Sequence, residues 1–106
     1  MPVPKTPEFE AAVVASRKLA SKPSDDELLE LYALFKQGTQ DPPFEEAPKP
    51  GTFDFKGKYK HSSWKKLVDE GLSPEDAQIK YVELIEKLKE KYGYDEGKEP
   101  EQVGGK

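Results

Sequence analysis

The chain has 106 residues, of which 36% are charged and 34% hydrophobic, with a formal net charge of −4 and no cysteine. This length suits one domain with a thin core, and the missing cysteines exclude disulfides, thiolate nucleophiles and cysteine metal sites. The acidic balance favours neither nucleic acid nor an anionic membrane, no apolar run reaches the roughly 20 residues of a membrane helix, and Met1-Pro-Val-Pro-Lys5 is followed by no apolar signal segment.

Four helices follow from caps and apolar spacing. The first starts at Thr6-Pro7, a capping threonine followed by proline at the first helical position, with Glu8 and Glu10 in the anion-favouring first turn. Phe9, Ala12, Val13 and Ser16 make one face, and the helix is expected to end between Leu19 and Ser21, before Lys22-Pro23. The second opens on the capping box Ser24-Asp-Asp-Glu27. Leu28, Leu31, Tyr32 and Phe35 form its stripe, and Gly38 is expected as its C-terminal cap. A loop over 40–52 follows, carrying Pro42, Pro43, Pro48, Pro50 and Gly51. The third helix is expected over about Lys56 to Val68, with Trp64 and Leu67 as its main apolar residues. Gly71 breaks it. The fourth begins at Ser73-Pro-Glu-Asp76, and Ala77, Tyr81, Leu84, Ile85, Leu88 and Tyr92 trace one face to Gly93. The domain is therefore set at 6–92. Residues 93–106, polar and carrying Asp95, Glu96, Glu99 and Glu101, read as a flexible acidic tail.

The residues give little to catalysis. His61 is the one histidine, its neighbours Ser62 and Ser63 point elsewhere on a helix, and no phosphate-binding or dinucleotide glycine motif is present. No acidic loop has calcium-binding spacing, so no metal is expected. The basic segment is more informative. Residues 55–68 hold five lysines and no acid, and Lys56, Lys60 and Trp64 recur four apart along one helical side. Tyr32 and Lys36 share a face of the second helix in the same way. The plain structural readings are a solvated lysine face and tyrosines that serve the core with a hydroxyl at the rim. Taken together, two tyrosines and lysines on three helices also suit an anionic ligand carrying a flat ring, such as a phosphorylated nucleotide. A small helical protein-interaction module using the lysine face is the alternative.

The order of these landmarks resembles the acyl-CoA-binding protein family. The resemblance runs from Phe9 to Tyr92 through Lys22-Pro23, Asp26-Glu27, Tyr32, Lys36-Gln37, Thr39, Pro50-Gly51, Asp54-Phe55-Lys56-Gly57-Lys58, Lys60, Trp64, Glu75-Asp76-Ala77, Tyr81 and Lys91-Tyr92. It implies an all-α, four-helix up-down-down-up bundle with a shallow bowl for long-chain acyl-CoA. It further implies a non-catalytic carrier or buffer of medium- to long-chain fatty acyl-CoA esters, with no cofactor. By resemblance the ligand-binding residues are Arg17, Leu28, Leu29, Tyr32, Lys36, Lys56, Lys60 and Tyr81. The lysines and Tyr32 would hold the 3′-phosphate, adenine would pack near Tyr81, and Leu28 and Leu29 would touch the acyl chain. A cytoplasmic monomer is expected, without nucleic acid or stable membrane insertion, and with room for transient contact with acyl-CoA-using enzymes or membrane surfaces. The chain departs from the family pattern at His61 (usually Trp), Phe35 (usually Tyr), Gly38 (usually Ala) and Val13 (usually small), and in Gln40-Asp41-Pro42-Pro43.

Overall fold

A computed structural model describes residues 3–95 and 97. It contains four α-helices, α1 Pro7–Ser16, α2 Asp25–Thr39, α3 Phe55–Asp69 and α4 Pro74–Tyr92, with a short 3-10 turn at Phe44–Glu46 inside the long loop. Among the described residues there is no strand, only an isolated bridge between Leu19 and Tyr94. Helix α2 is the central element. It packs on α3 along one side and on α4 along another, while α1 packs on α4. Phe9, Leu31, Leu34, Ala77, Tyr81, Ile85 and Leu88 form the core they share.

The caps hold as the residue types require. The Thr6 hydroxyl accepts from the Phe9 amide at 3.1 Å, and the Ser73 hydroxyl accepts from the Asp76 amide at 3.1 Å. The Asp54 carboxylate caps α3 by accepting from the Gly57 amide at 2.9 Å. At α2 the capping box closes in both directions, Glu27 N–H to the Ser24 hydroxyl at 3.2 Å and Ser24 N–H to the Glu27 carboxylate at 2.8 Å.

Helix ends differ from the sequence expectation in α1, α2 and α3, for a tertiary reason in the first two. Helix α1 stops at Ser16 and not near Leu19–Ser21. Residues 18–20 instead lie beside 93–95: Ala20 N–H donates to the Gly93 carbonyl and Asp95 N–H to the Lys18 carbonyl, both at 2.9 Å. This pairing also docks the first three residues of the segment expected to be a flexible tail, while 96 and 98–106 lie outside the described residues. Helix α2 runs through Gly38 to Thr39, and Gln40, at φ 52°, is the left-handed cap. Gly38 is therefore not a cap but a point of close approach between helices. A Cβ there would stand 2.9 Å from the Gln78 Cγ of α4. The Gln78 side chain uses that proximity, donating to the Gly38 carbonyl at 2.9 Å and the Pro4 carbonyl at 3.0 Å and accepting from the Thr6 amide at 3.0 Å. Helix α3 gains one residue at each end.

Glu27 also joins the start of α2 to the end of α4. It accepts hydrogen bonds from Lys91 Nζ at 2.8 Å and from the Tyr92 hydroxyl. The Lys91 bond, then Tyr92 and the Ser24 amide, lower the Glu27 carboxyl from 4.5 to about 2. A group with a depressed folded pKa stabilises the fold above its unfolded pKa and loses that contribution as pH falls through the folded value. Glu27 should therefore contribute fully above about pH 4.5 and progressively less toward pH 2. Thermal melts of the parent and Glu27→Gln are expected to differ at neutral pH and converge on acidification. A difference independent of pH would remove the carboxylate from this role.

Candidate functional site

On α2, Leu28, Tyr32 and Lys36 recur at four-residue spacing, so they share one side of the helix. Tyr32 and Lys36 are both half-buried. On α3, Lys56, Lys60 and Trp64 recur in the same way, with Lys56 exposed, Lys60 half-buried and Trp64 buried. Where the helices meet, each sends an ammonium over a ring of the other. Lys60 Nζ lies 5.2 Å from the Tyr32 ring centroid, and Lys36 Nζ lies 5.6 Å from that of Trp64. Among the described ion pairs neither lysine has a carboxylate partner. Two ammonium groups are thus held beside aromatic faces with their charge available to an anion.

Trp64 anchors this crossing. Its indole N–H donates to Gln37 Oε1 at 3.0 Å, and Gln37 Nε2 donates to the Leu72 carbonyl at 2.7 Å. Phe44, from the 3-10 turn, sets its ring edge against Trp64 at 5.1 Å between centroids and lies 4.8 Å from the His61 ring. His61 therefore keeps an aromatic contact at the position where the family pattern has Trp. Phe44 and the buried Gln37 are the site-supporting residues that sequence reasoning missed. Gln37 sat in the matched Lys36-Gln37 pair, but no periodicity marks a loop phenylalanine as a packing partner.

Tyr81 and the two leucines sit in different surroundings. The Tyr81 ring is only 4% exposed. It packs edge-on to Phe9, 5.0 Å between centroids, and is tilted against Phe35 at 6.4 Å. Phe9 and Phe35 cover its ring. Its hydroxyl hydrogen-bonds Ser16 and feels the charge of Arg17, the exposed C-cap of α1; burial nevertheless dominates and raises its pKa. Burial raises the Tyr32 phenol as well. Leu28 shares the Tyr32 side, but Leu29 points about 100° away. Leu29 lines a separate groove of about 540 Å³ with Ala33, Leu34, Leu67 and Leu84, rimmed by charges of both signs. Among the described residues no group of acids and histidine is placed to hold a metal ion.

A family model described as acyl CoA binding protein matches residues 6–85. The chain belongs to the acyl-CoA-binding protein family. It is 49% identical over 85 residues to acyl-CoA-binding protein homolog 1 of Caenorhabditis elegans, covering 80% of this chain and 94% of that one. It is 46% identical over 84 residues to the acyl-CoA-binding protein of Saccharomyces cerevisiae, covering 79% and 92%. Its fold is similar to the crystal structure of Oryza sativa acyl-CoA-binding protein 2, with a TM-score of 0.67 at 34% identity, covering 79% of this chain and 89% of that one. The solution structure of the yeast protein aligns with a TM-score of 0.62 at 44% identity over 80% and 94% of the two chains. The helical bundle is thus that of the family, and a generic protein-interaction module is not favoured.

Proposed function

We propose that this protein binds medium- to long-chain fatty acyl-CoA esters and carries or buffers them as a cytoplasmic monomer without catalysing a reaction. Family membership supports the ligand class. The observation that carries the reading in this chain is the reciprocal pair, Lys36 over Trp64 and Lys60 over Tyr32, with no carboxylate partner on either ammonium among the described ion pairs.

In this reading Lys36, Lys60 and Lys56 receive the phosphates, with Arg17 contributing charge from the end of α1. The Tyr32 hydroxyl adds a hydrogen bond to the 3′-phosphate, and Leu28 meets the acyl chain on the same side of α2. Tyr81 acts from beneath, holding α4 against Phe9 and Phe35. A long-chain acyl-CoA is a detergent with an anionic head, so its carrier must neutralise the head and shield the tail. Each buried methylene contributes about 0.8 kcal/mol, so a sixteen-carbon chain supplies at most roughly 12 kcal/mol before the costs of binding. Much of the chain's cover would have to come from the folded-back head group, because the charged side is open. Calorimetry should show palmitoyl-CoA binding far more tightly than free CoA, with affinity rising with chain length before levelling. Equal affinity for the two would eliminate an acyl groove.

The two tyrosines separate by the same reasoning. Tyr32→Phe should weaken palmitoyl-CoA binding while leaving the melting temperature nearly unchanged. Tyr81→Phe should instead lower stability by about 0.5–1.5 kcal/mol through the lost Ser16 hydrogen bond, with the milder effect on binding. Paired calorimetry and thermal melts check this, and a larger binding loss at Tyr81 would reverse the assignment.

A further inference from the structure

On α4 one large hydrophobic residue is exposed, Ile79, at 57%. It is two residues from Tyr81 and so points about 160° away from that core ring. A lone apolar side chain on a surface is ordinary. Ile79, however, borders a hollow of about 310 Å³ in the crease between α1 and α4, whose wall continues with the half-buried Val82 and the buried Gln78. The Gln78 amide is spent on Thr6, Pro4 and Gly38, so it leaves that wall no free polar group. The charges around the hollow have one sign. Glu75 and Glu83 stand one turn before and one turn after Ile79 on the same ridge of α4, and Glu8 of α1 faces them across the crease. All three are exposed, and none belongs to an ion pair among those described. Glu8 and Glu75 also favour the first turns of their helices, but Glu83 lies mid-helix, where the dipole gives it no such role. Lys80 and Lys87 line the groove on the other side of α4.

We propose that the α1–α4 crease, with Ile79 and Val82 as its apolar wall and Glu8, Glu75 and Glu83 as its rim, docks a basic amphipathic helix of a protein partner. A crease between two helices takes a third helix, whose apolar residues at i, i+3 and i+4 fill the hollow. Lysines or arginines flanking those anchors then meet the three carboxylates. The sign of the rim decides between classes of partner. An anionic bilayer and a nucleic acid would both be repelled by unpaired glutamates, whereas a basic segment is drawn to them. Contact at the rim sets encounter and orientation, and burial of Ile79 and Val82 supplies the affinity. The docking uses no side chain of the proposed ligand set and does not depend on the acyl-CoA reading.

The test is an amide NMR titration of the full-length protein with a synthetic amphipathic helix of about 18 residues, leucine on one face and lysine elsewhere, and with a counterpart carrying glutamate for lysine. The lysine peptide should shift the amides of residues 6–8 and 75–83, the glutamate peptide should shift none, and rising salt should weaken the binding. Ile79→Lys should weaken it about tenfold, the loss of one buried aliphatic anchor. Glu75→Gln/Glu83→Gln should weaken it too and flatten its salt dependence. These residues are exposed, so helical circular dichroism should stay that of the parent. Shifts spread over the other acids of the chain, equal binding of the two peptides, or either variant binding like the parent would overturn the proposal. Shifts in the same residues that grow with protein concentration alone would overturn it in favour of a second copy of this chain. Palmitoyl-CoA calorimetry on Ile79→Lys keeps the two readings apart: parental ligand affinity with lost peptide binding supports the crease, and parental peptide binding overturns it whatever the ligand affinity.

Discussion

Trp64→Ala is expected to destabilise the protein by about 3–5 kcal/mol, the range for truncating a buried large aromatic. The indole is 2% exposed, contacts Phe44 edge-on, and joins α3 to α2 through Gln37. Truncation leaves a cavity between the two helices and removes the surface against which Lys36 rests. Trp64→Phe isolates the polar part. It keeps an aromatic ring but removes the donor to Gln37 Oε1. That oxygen retains a longer contact with Gln40 Nε2 at 3.3 Å, so the cost should fall at the lower end of about 1–3 kcal/mol. Urea unfolding followed by circular dichroism measures both, since the variants lack the chain's one tryptophan. A loss below about 1 kcal/mol for the alanine variant would mean that the helix crossing is not pinned by this residue.

Lys36→Ala or Lys60→Ala is expected to weaken palmitoyl-CoA binding by roughly 1.5–3 kcal/mol each, the range for a hydrogen bond to a charged group. That corresponds to about 10- to 150-fold in Kd. The effect on stability should be smaller, about 0.5–1 kcal/mol for an ammonium over a partly exposed ring. The ratio matters because a purely structural role predicts the opposite order. The binding penalty should also shrink for a dephospho-CoA ester lacking the 3′-phosphate. Calorimetry with both esters decides the point: the same penalty for each would mean that these lysines do not read that phosphate.

Much of this molecule is written in local sequence. Thr6-Pro7, Ser24 to Glu27 and Ser73-Pro74 specify helix starts through orphan amides that only a nearby side-chain oxygen can satisfy, and all three appear where expected. The i, i+4 spacing of Tyr32 with Lys36, and of Lys60 with Trp64, already put each pair on one helical side before any fold was known. What spacing cannot contain is which side of one helix meets which side of another. The exchange of ammonium groups across the α2–α3 crossing, the Gln37 bridge and the arrival of Phe44 all depend on that meeting.

The same distinction explains the departures. Gly38 looks like a cap in sequence, because glycine ends helices; the structure uses it because Gln78 leaves no room for a Cβ. Helix α1 ends early because residues 18–20 find backbone partners at 93–95, a pairing between segments more than seventy residues apart. Tyr81 and Tyr32 carry the same phenol on similar apolar stripes, yet only packing buries one ring between Phe9 and Phe35 and leaves the other under Lys60. By itself the sequence determined the helices, the residues that share a side and the family, since caps, periodicity and motif order are local or linear properties. The tertiary structure alone decided which of those residues are support and which keep an open charge or ring, because burial and close approach are set by neighbours distant along the chain.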